Sequence, residues 1–160
     1  MVRKLLFVCM GNICRSPAAE GVMSHLLARH PLGETLVCDS AGTIGYHTGS
    51  PPDSRMQVAA QARGIRLQSR ARQFHPRDFE AFDLILVMDQ ENYRDVIALD
   101  PHNRHRHKVR MMCEFCTQRS DREVPDPYYG GAAGFEYVLD LLEDACQGLL
   151  RHLEQETSRR

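Results

Sequence analysis

Continuous apolar runs mark the buried strands of this chain. Residues 4–9 and 82–89 are largely continuous apolar runs, which is typical of strands covered on both faces of a parallel sheet. Residues 35–42 predict another strand, which leads into a loop rich in glycine and proline, and residues 107–113 predict a weaker one. The pattern therefore predicts four strands.

Helical periodicity fills the stretches between and after these strands. Apolar residues at helical spacing predict four helices, at about residues 17–27, 53–64, 93–97 and 134–153. Ser16 and Pro17 suit the N-cap and first position of the first helix, and Gly64 suits the C-cap of the second. Alternating strands and helices predict an α/β sandwich around a parallel sheet, with its ligand site beyond the carboxyl ends of the strands.

Length, charge and cysteine content narrow the class of protein. A chain of 160 residues predicts one domain over residues 1–155, and the tail at 156–160 is expected to fray. The 20 basic residues nearly balance the 21 acidic ones, which argues against nucleic acid or a membrane surface as a partner. Gly11 and Asn12 interrupt the first apolar run before it reaches a signal or spanning length. Six cysteines without a secretion signal predict a reduced, cytoplasmic protein.

The stretch VCMGNICRSP, residues 8–17, joins the first strand to the first helix. A helix N-terminus, backbone amides and a guanidinium all stabilise a thiolate, and Cys9 would have all three once Arg15 folds back over the loop. Gly11 and Asn12 permit a tight bend that turns N–H groups inward as an anion nest. The predicted phosphate-binding residues are Met10, Gly11, Asn12, Ile13, Cys14 and Ser16.

These residues predict a reaction at phosphorus. The planar fork of Arg15 matches two phosphate oxygens, and the Gly-Lys-Ser/Thr ending of a nucleotide-binding loop is absent from the stretch. Attack by Cys9 would give a cysteinyl-phosphate intermediate. Ser16 could donate a hydrogen bond to the departing thiolate in the second step.

A second stretch, CEFCTQRS at residues 113–120, repeats the Cys-x5-Arg-Ser spacing. It lacks glycine and asparagine, Glu114 puts a negative charge where an anion would bind, and the prolines after it do not allow a long helix. We interpret this spacing as coincidence. Cys113 and Cys116 could still be half of a zinc site or a redox pair, with partners from Cys146, His102, His105 and His107, but two packed thiols are the favoured interpretation.

A proton donor for the leaving group is predicted in VPDPYYGG, residues 124–131. Expelling a phenolate, whose conjugate acid has a pKa of about 10, is faster by about 10² to 10⁴ with a general acid. Asp126 is held between two prolines in a rigid segment, and Tyr128 and Tyr129 could wall the entrance.

These motifs together resemble the low-molecular-weight protein tyrosine phosphatases over almost the whole chain. The matching pieces are FVCMGNICRSPAAE, DSAGT, GSPPD, ARQ, VMD and DPYYG, in order and at matching spacing. The resemblance implies a three-layer sandwich with a four-stranded parallel sheet and a phosphate loop after the first strand. It also implies Cys9 as nucleophile, Arg15 as phosphate clamp, and Asp126 as general acid and then base.

The resemblance further implies the supporting residues and the partners. Asn12, Ser16 and Ser40 would form the hydrogen bonds that hold the loop open, and Tyr46 and Tyr129 would flank the substrate ring. Substrates would be phosphotyrosine proteins and small aryl phosphates, hydrolysed by a monomer without a metal or other cofactor.

Three positions bear on how far the resemblance extends. Ser69 stands where many relatives have a histidine, and Tyr46 stands where a tryptophan is common, so loop support and substrate preference are open. Ile13 matches the tyrosine phosphatases, whereas related arginine phosphatases carry threonine at this position.

Redox chemistry leaves further alternatives open. Cys14 could trap an oxidised Cys9 as a disulfide, or it could be a small packed residue. An arsenate reductase with Cys113 and Cys116 as a thiol relay is the main rival, although Asp126 and its tyrosines suit an aryl leaving group. A non-catalytic phosphotyrosine-binding module is disfavoured because it would not need Cys9.

Overall fold

The structure of the protein is a computed structural model that describes residues 3–158. Its four strands are β1 (Arg3–Cys9), β2 (Leu36–Gly42), β3 (Leu84–Val87) and β4 (Val109–Met111). Its α-helices are α1 (Arg15–Leu27), α2 (Ser54–Gln61), α3 (Asp78–Ala81), α4 (Gln90–Ile97) and α5 (Ala132–Ser158). Short 3-10 helices lie at Pro31–Glu34, Arg106–Lys108 and Met112–Phe115.

The strands form one parallel sheet in the order β2-β1-β3-β4, which confirms the predicted α/β fold with a four-stranded parallel sheet. β1 lies inside the sheet and pairs with both β2 and β3. Its residues 5–8 are 0% exposed, because helices cover both faces. This double cover explains why the run is apolar at every position instead of alternating.

The two faces of the sheet carry separate apolar cores. One contains Leu5 and Phe7 of β1 together with the apolar sides of α1 and α5. The other contains Leu6 and Val8, which pack with residues of α3 and α4. The fold therefore has three layers, and the β1–α1 loop emerges at the carboxyl edge of the sheet.

The start of α1 and the end of β4 differ from the prediction. α1 begins at Arg15, so Ser16 lies in its first turn and is not the N-cap. The Ser16 hydroxyl instead contacts Cys9 and Asn12. β4 ends at Met111 because the chain turns into a 3-10 helix at residues 112–115. α3 and the 3-10 helices carry too few residues to show a helical period, and they were not predicted.

The C-terminal helix is longer than predicted. α5 runs to Ser158, so residues 156–158 are helical where fraying was expected, and residues 159–160 lie outside the described range. Glu156 accepts a hydrogen bond from Arg3 at 2.8 Å and lies 3.1 Å from His152, which ties this last turn down. None of the helices within residues 3–158 has the length and apolar character needed to cross a membrane.

Candidate active site

The β1–α1 loop is bent by a left-handed residue and braced by the end of β2. Asn12 has φ 58°, the conformation that its type tolerates better than most residues. The backbone N–H groups of Thr43 and Ile44 bind the carbonyls of Cys9 and Met10 at 2.9 and 3.0 Å. A Cβ at Gly42 would lie 2.7 Å from the Met10 carbonyl oxygen. This close approach therefore requires a residue without a side chain at position 42.

The side chain of Asn12 holds the loop in this shape. Its amide Nδ2 donates to Ser16 Oγ at 2.8 Å and to Ser40 Oγ at 3.0 Å. Its Oδ1 accepts from the backbone N–H of Arg72 at 3.0 Å. Ser40 Oγ in turn donates to Glu20 Oε1 at 2.7 Å. The predicted trio of Asn12, Ser16 and Ser40 is thus brought together, and Arg72 and Glu20 extend it.

Glu20 is a partly buried carboxylate beneath this network. Burial raises its pKa, the Ser40 hydrogen bond opposes that rise, and the charge of Asp39 adds to it. Proton uptake by Glu20 is therefore favoured by the fold.

Cys9 lies at the end of β1 and at the base of a pocket. Its Sγ is 3.1 Å from Ser16 Oγ, and the residue is 2% exposed. The pocket has a volume of about 300 Å³ and is lined by the loop on one side and by the aromatic residues of two other segments. The predicted residues that line it are Cys9, Met10, Gly11, Ile13, Cys14, Arg15, Tyr46, Asp126 and Tyr129. Asn12, Ser16 and Ser40 lie behind it.

Arg15 is buried and clamped from two distant segments. Its Nη1 donates to Asp89 Oδ2 at 2.6 Å and to the carbonyl of Val124 at 3.1 Å. Burial opposes its charge, but the negative charges of Cys9 and Asp89 keep the pKa of Arg15 above its ordinary value. A buried cation held this way is oriented before any ligand arrives, which suits the binding of an oxyanion.

Asp126 faces the same pocket from the segment before α5. Its Oδ2 is 3.7 Å from Arg15 Nη2, and its Oδ1 accepts from the backbone N–H of Tyr128 at 3.0 Å. The side chain is 37% exposed. The carboxyl is thus fixed by the backbone and still open to the pocket.

Aromatic rings form the outer part of the pocket. Tyr46 and Tyr129 are 84% and 94% exposed. The rings of Tyr128 and Tyr129 meet edge-to-face at 5.0 Å, and those of Tyr46 and His47 do so at 4.8 Å. The arrangement can accept a flat ring above a tetrahedral anion.

Several residues around the site were missed from the sequence, among them Ile44 and His47 in the lining of the pocket and Asp89 beside Arg15. Asp89 lies two residues after the end of β3, at the carboxyl edge where ligand sites lie, and this position was the signal that could have found it. His47 lines the pocket so closely that a Cβ on Gly11 would lie 3.0 Å from its ring. No local pattern pointed to His47.

Cys14 is buried in the loop as a neutral thiol. Burial and then the Asp53 carboxylate raise its pKa well above the ordinary value. Any reaction that needs the Cys14 thiolate is therefore disfavoured at neutral pH.

The second Cys-x5-Arg stretch forms no comparable loop. Cys113 lies in the 3-10 helix after β4 and is absent from the lining of the pocket. Burial raises the pKa of Cys113 to about 11 and that of Cys116 to about 12, so both are thiols at neutral pH. Within residues 3–158, no three His, Cys, Asp or Glu side chains are grouped to hold a metal ion.

Comparisons with known proteins agree on one family. The family model described as low molecular weight phosphotyrosine protein phosphatase matches residues 4–159. A Synechocystis protein that bears the name of a low molecular weight protein-tyrosine-phosphatase is 59% identical over 153 residues, which are 96% of this chain and 98% of that protein. The human low molecular weight phosphotyrosine protein phosphatase is 38% identical over 149 residues, with 92% of this chain and 94% of that protein covered.

A solved structure shares the fold. The crystal structure of a protein tyrosine phosphatase from Entamoeba histolytica matches with a TM-score of 0.93 and 48% identity. The match covers 97% of this chain and 99% of that one.

Proposed function

The chain belongs to the low molecular weight phosphotyrosine protein phosphatases, and from this premise we propose that it hydrolyses phosphotyrosine and small aryl phosphates through a cysteinyl-phosphate. It is an enzyme of the protein-tyrosine-phosphatase class. The observation that carries the proposed mechanism is the convergence of Cys9 and Arg15, from the β1–α1 loop, and Asp126, from the segment before α5, on one pocket.

In the first step Cys9 Sγ attacks phosphorus. The S–P bond forms, the P–O bond to the aryl group breaks, and Asp126 gives its proton to the departing oxygen. The guanidinium of Arg15, held 3.7 Å from the Asp126 carboxyl, binds two phosphoryl oxygens. Backbone N–H groups of residues 10–14, which the proposed anion nest turns inward, share the developing charge.

In the second step water attacks the cysteinyl-phosphate. Asp126, now a carboxylate, takes a proton from the water while the new P–O bond forms and the S–P bond breaks. The leaving group is the Cys9 thiolate. Ser16 Oγ, 3.1 Å from that sulfur, donates a hydrogen bond to it and lowers the barrier to its departure.

The walls of the pocket favour a phosphorylated aromatic ring. Tyr46 and Tyr129 would flank the ring, and Ile13, 9% exposed, adds an apolar contact beside the loop. The substrates are phosphotyrosine proteins, and the enzyme acts as a monomer.

The cysteines favour a reducing setting and redox control. All six are free thiols, which suits the cytoplasm. Oxidation of Cys9 by peroxide would give a sulfenic acid, and condensation with the Cys14 thiol would release water and form a disulfide. A thiol reductant would restore both residues.

Hydrolysis of an aryl phosphate by four proteins tests the proposal. Wild type should turn over, Cys9→Ser should abolish turnover, and Asp126→Ala should lower it by about 10² to 10⁴. Cys113→Ser is the matched control, since it belongs to the stretch with the same spacing, and it should leave activity unchanged. An inert wild type, or activity that does not depend on Cys9, would refute the mechanism.

The same four proteins, assayed also with arsenate and with phosphoarginine, separate the rivals. If the chain were a non-catalytic phosphotyrosine-binding module, none of the four proteins would hydrolyse the aryl phosphate. An arsenate reductase with a thiol relay would lose arsenate reduction in Cys113→Ser, but neither Cys113 nor Cys116 lines the pocket that contains Cys9, which disfavours such a relay. Phosphoarginine offered beside phosphotyrosine tests the contribution of Ile13.

A further inference from the structure

A second groove lies beside the pocket, between α2 and the start of α5. This side groove has a volume of about 340 Å³, and Val58, Ala59, Gly130, Gly131 and Ala132 supply its apolar lining. Val58 is 69% exposed, so its side chain is open to solvent on this face. A Cβ at Gly131 would meet nothing within 4 Å. The side groove therefore has room for an additional side chain.

The charged residues at its edges are already paired within the chain. The guanidinium of Arg55 binds the Asp53 carboxylate through Nε at 3.1 Å and Nη2 at 2.9 Å. Glu136 Oε1 accepts from Arg63 Nη2 at 2.7 Å. With both edges neutralised, the chemistry that best fits the interior is an apolar side chain.

Arg55 connects the side groove with the phosphate-binding pocket. Its guanidinium carbon lies 5.3 Å from the ring centroid of Tyr128, which lines the pocket. It lies 4.7 Å from the ring centroid of Phe135, which lines the side groove. The ring centroids of Tyr128 and Phe135 therefore lie at most about 10 Å apart, a separation that an extended chain covers in about three residues.

Arg55 is also fixed to the phosphate loop. Asp53, which holds the guanidinium, caps α2 by accepting from the Arg55 backbone N–H at 2.8 Å. The backbone N–H of Asp53 donates to the carbonyl of Ile13 at 2.8 Å. The spacing between the pocket and the side groove is therefore set by the backbone, so it can select for position along a bound peptide.

We propose that the side groove is a substrate subsite that binds an apolar side chain about three residues from the phosphotyrosine. This inference rests on the proposed phosphatase function and names a determinant of its protein substrates. Arg55 forms the partition over which the substrate backbone passes. Small aryl phosphates do not reach the side groove, so changes in the groove should not alter their hydrolysis.

A positional scan with phosphotyrosine peptides provides the test. One leucine is moved through an otherwise alanine-based peptide, from four residues before the phosphotyrosine to four residues after it, and kcat/KM is measured by phosphate release. Leucine about three residues away, on one side of the phosphotyrosine, should raise kcat/KM about fivefold, as expected for burying roughly half of that side chain. A flat scan with wild type would overturn the inference.

Two variants with opposite charges assign the effect to the side groove. Val58→Lys and Ala132→Glu change exposed positions on its opposite walls, and both should abolish the leucine preference. If the added charges instead acted on the peptide as a whole, Val58→Lys and Ala132→Glu would change kcat/KM in opposite directions. Val37→Lys is the matched control, since Val37 is 47% exposed and lies near the start of edge strand β2, away from the carboxyl edge. It should keep the preference.

Hydrolysis of para-nitrophenyl phosphate distinguishes a failure of the proposed subsite from a failure of the proposed phosphatase function. Equal hydrolysis by wild type and all three variants, together with loss of the leucine preference only in the two side-groove variants, supports the subsite. Equal hydrolysis with an unchanged preference overturns the subsite and leaves the phosphatase function standing. No hydrolysis by wild type overturns both.

Discussion

Replacing Asn12 with glycine and with alanine separates two contributions to the shape of the phosphate loop. Asn12 is 1% exposed, has φ 58°, and makes three side-chain hydrogen bonds. Asn12→Gly removes the bonds but adopts the backbone conformation readily. Asn12→Ala removes the bonds and also places a Cβ in the left-handed region. The difference between the two variants therefore isolates the backbone contribution.

The structure allows the magnitudes to be worked out. Ser16 and Ser40 keep other partners for their hydroxyls, but the backbone N–H of Arg72 loses its acceptor. With about 1 kcal/mol for each of the three lost bonds and about 1 kcal/mol more for the unsatisfied donor, Asn12→Gly should lower the free energy of unfolding by about 4 kcal/mol. Asn12→Ala should lower it by about 1–2 kcal/mol more, because of the left-handed backbone.

Urea unfolding monitored by circular dichroism measures both differences, with Asn103 as the control position. Asn103 has φ 52° and is exposed, so Asn103→Ala should be less stable than Asn103→Gly by the same 1–2 kcal/mol. Neither substitution at Asn103 should affect activity. Both substitutions at Asn12 should lower kcat/KM for an aryl phosphate, since the anion nest loses its fixed shape.

Two results would refute this reasoning. Equal stability of the alanine and glycine variants at both positions would mean that left-handed strain is relieved by a backbone shift. A loss below about 1 kcal/mol in Asn12→Gly would mean that the three hydrogen bonds do not hold the loop.

Two further predictions concern titratable groups near the loop. Because the pKa of Glu20 is raised in the fold, its contribution to the free energy of unfolding is largest at low pH and falls as pH rises through the folded-state pKa. Glu20→Gln keeps an acceptor oxygen and should be at least as stable as wild type at pH 7. In thermal unfolding, the difference in stability between variant and wild type should shrink toward pH 4. A Glu20→Gln variant that is less stable than wild type at pH 7 would contradict this. Because the pKa of Cys14 is raised, disulfide trapping of peroxide-oxidised Cys9 should become faster between pH 7 and pH 9. The activity recovered with dithiothreitol measures this trapping, and Cys14→Ser should recover less activity than wild type. Equal recovery by Cys14→Ser would show that Cys14 has no redox role.

The sequence predicts much of the fold because each strand and long helix carries its own periodic signal. The apolar run of β1 reflects cover on both faces, and the apolar stripe of α5 extends along one side of a long helix. The left-handed position in the loop could also be predicted, since few residue types other than glycine tolerate it and Asn12 is one of them. These features depend on local preferences and burial alone.

The errors arise where one side chain has competing partners. Ser16 has the preference of an N-cap, but its hydroxyl contacts Cys9 and Asn12 instead. Asp89 caps α4 through Oδ1, and its Oδ2 holds Arg15, 74 residues away. The cap could be predicted from neighbouring residues, but the contact with Arg15 depends on where the sheet brings the two segments together.

The two Cys-x5-Arg stretches show how tertiary contacts decide the chemistry of a shared spacing. Arg15 is 3% exposed and receives partners from segments 74 and 109 residues away, so its charge is fixed within the pocket. Arg119 occupies the equivalent place in the second stretch, but its side chain is 36% exposed and lies 3.6 Å from Asp140. Such a surface pair contributes at most about 1 kcal/mol. The spacing therefore predicts a possible anion nest, and the partners of the arginine determine whether it can hold a phosphoryl group for attack.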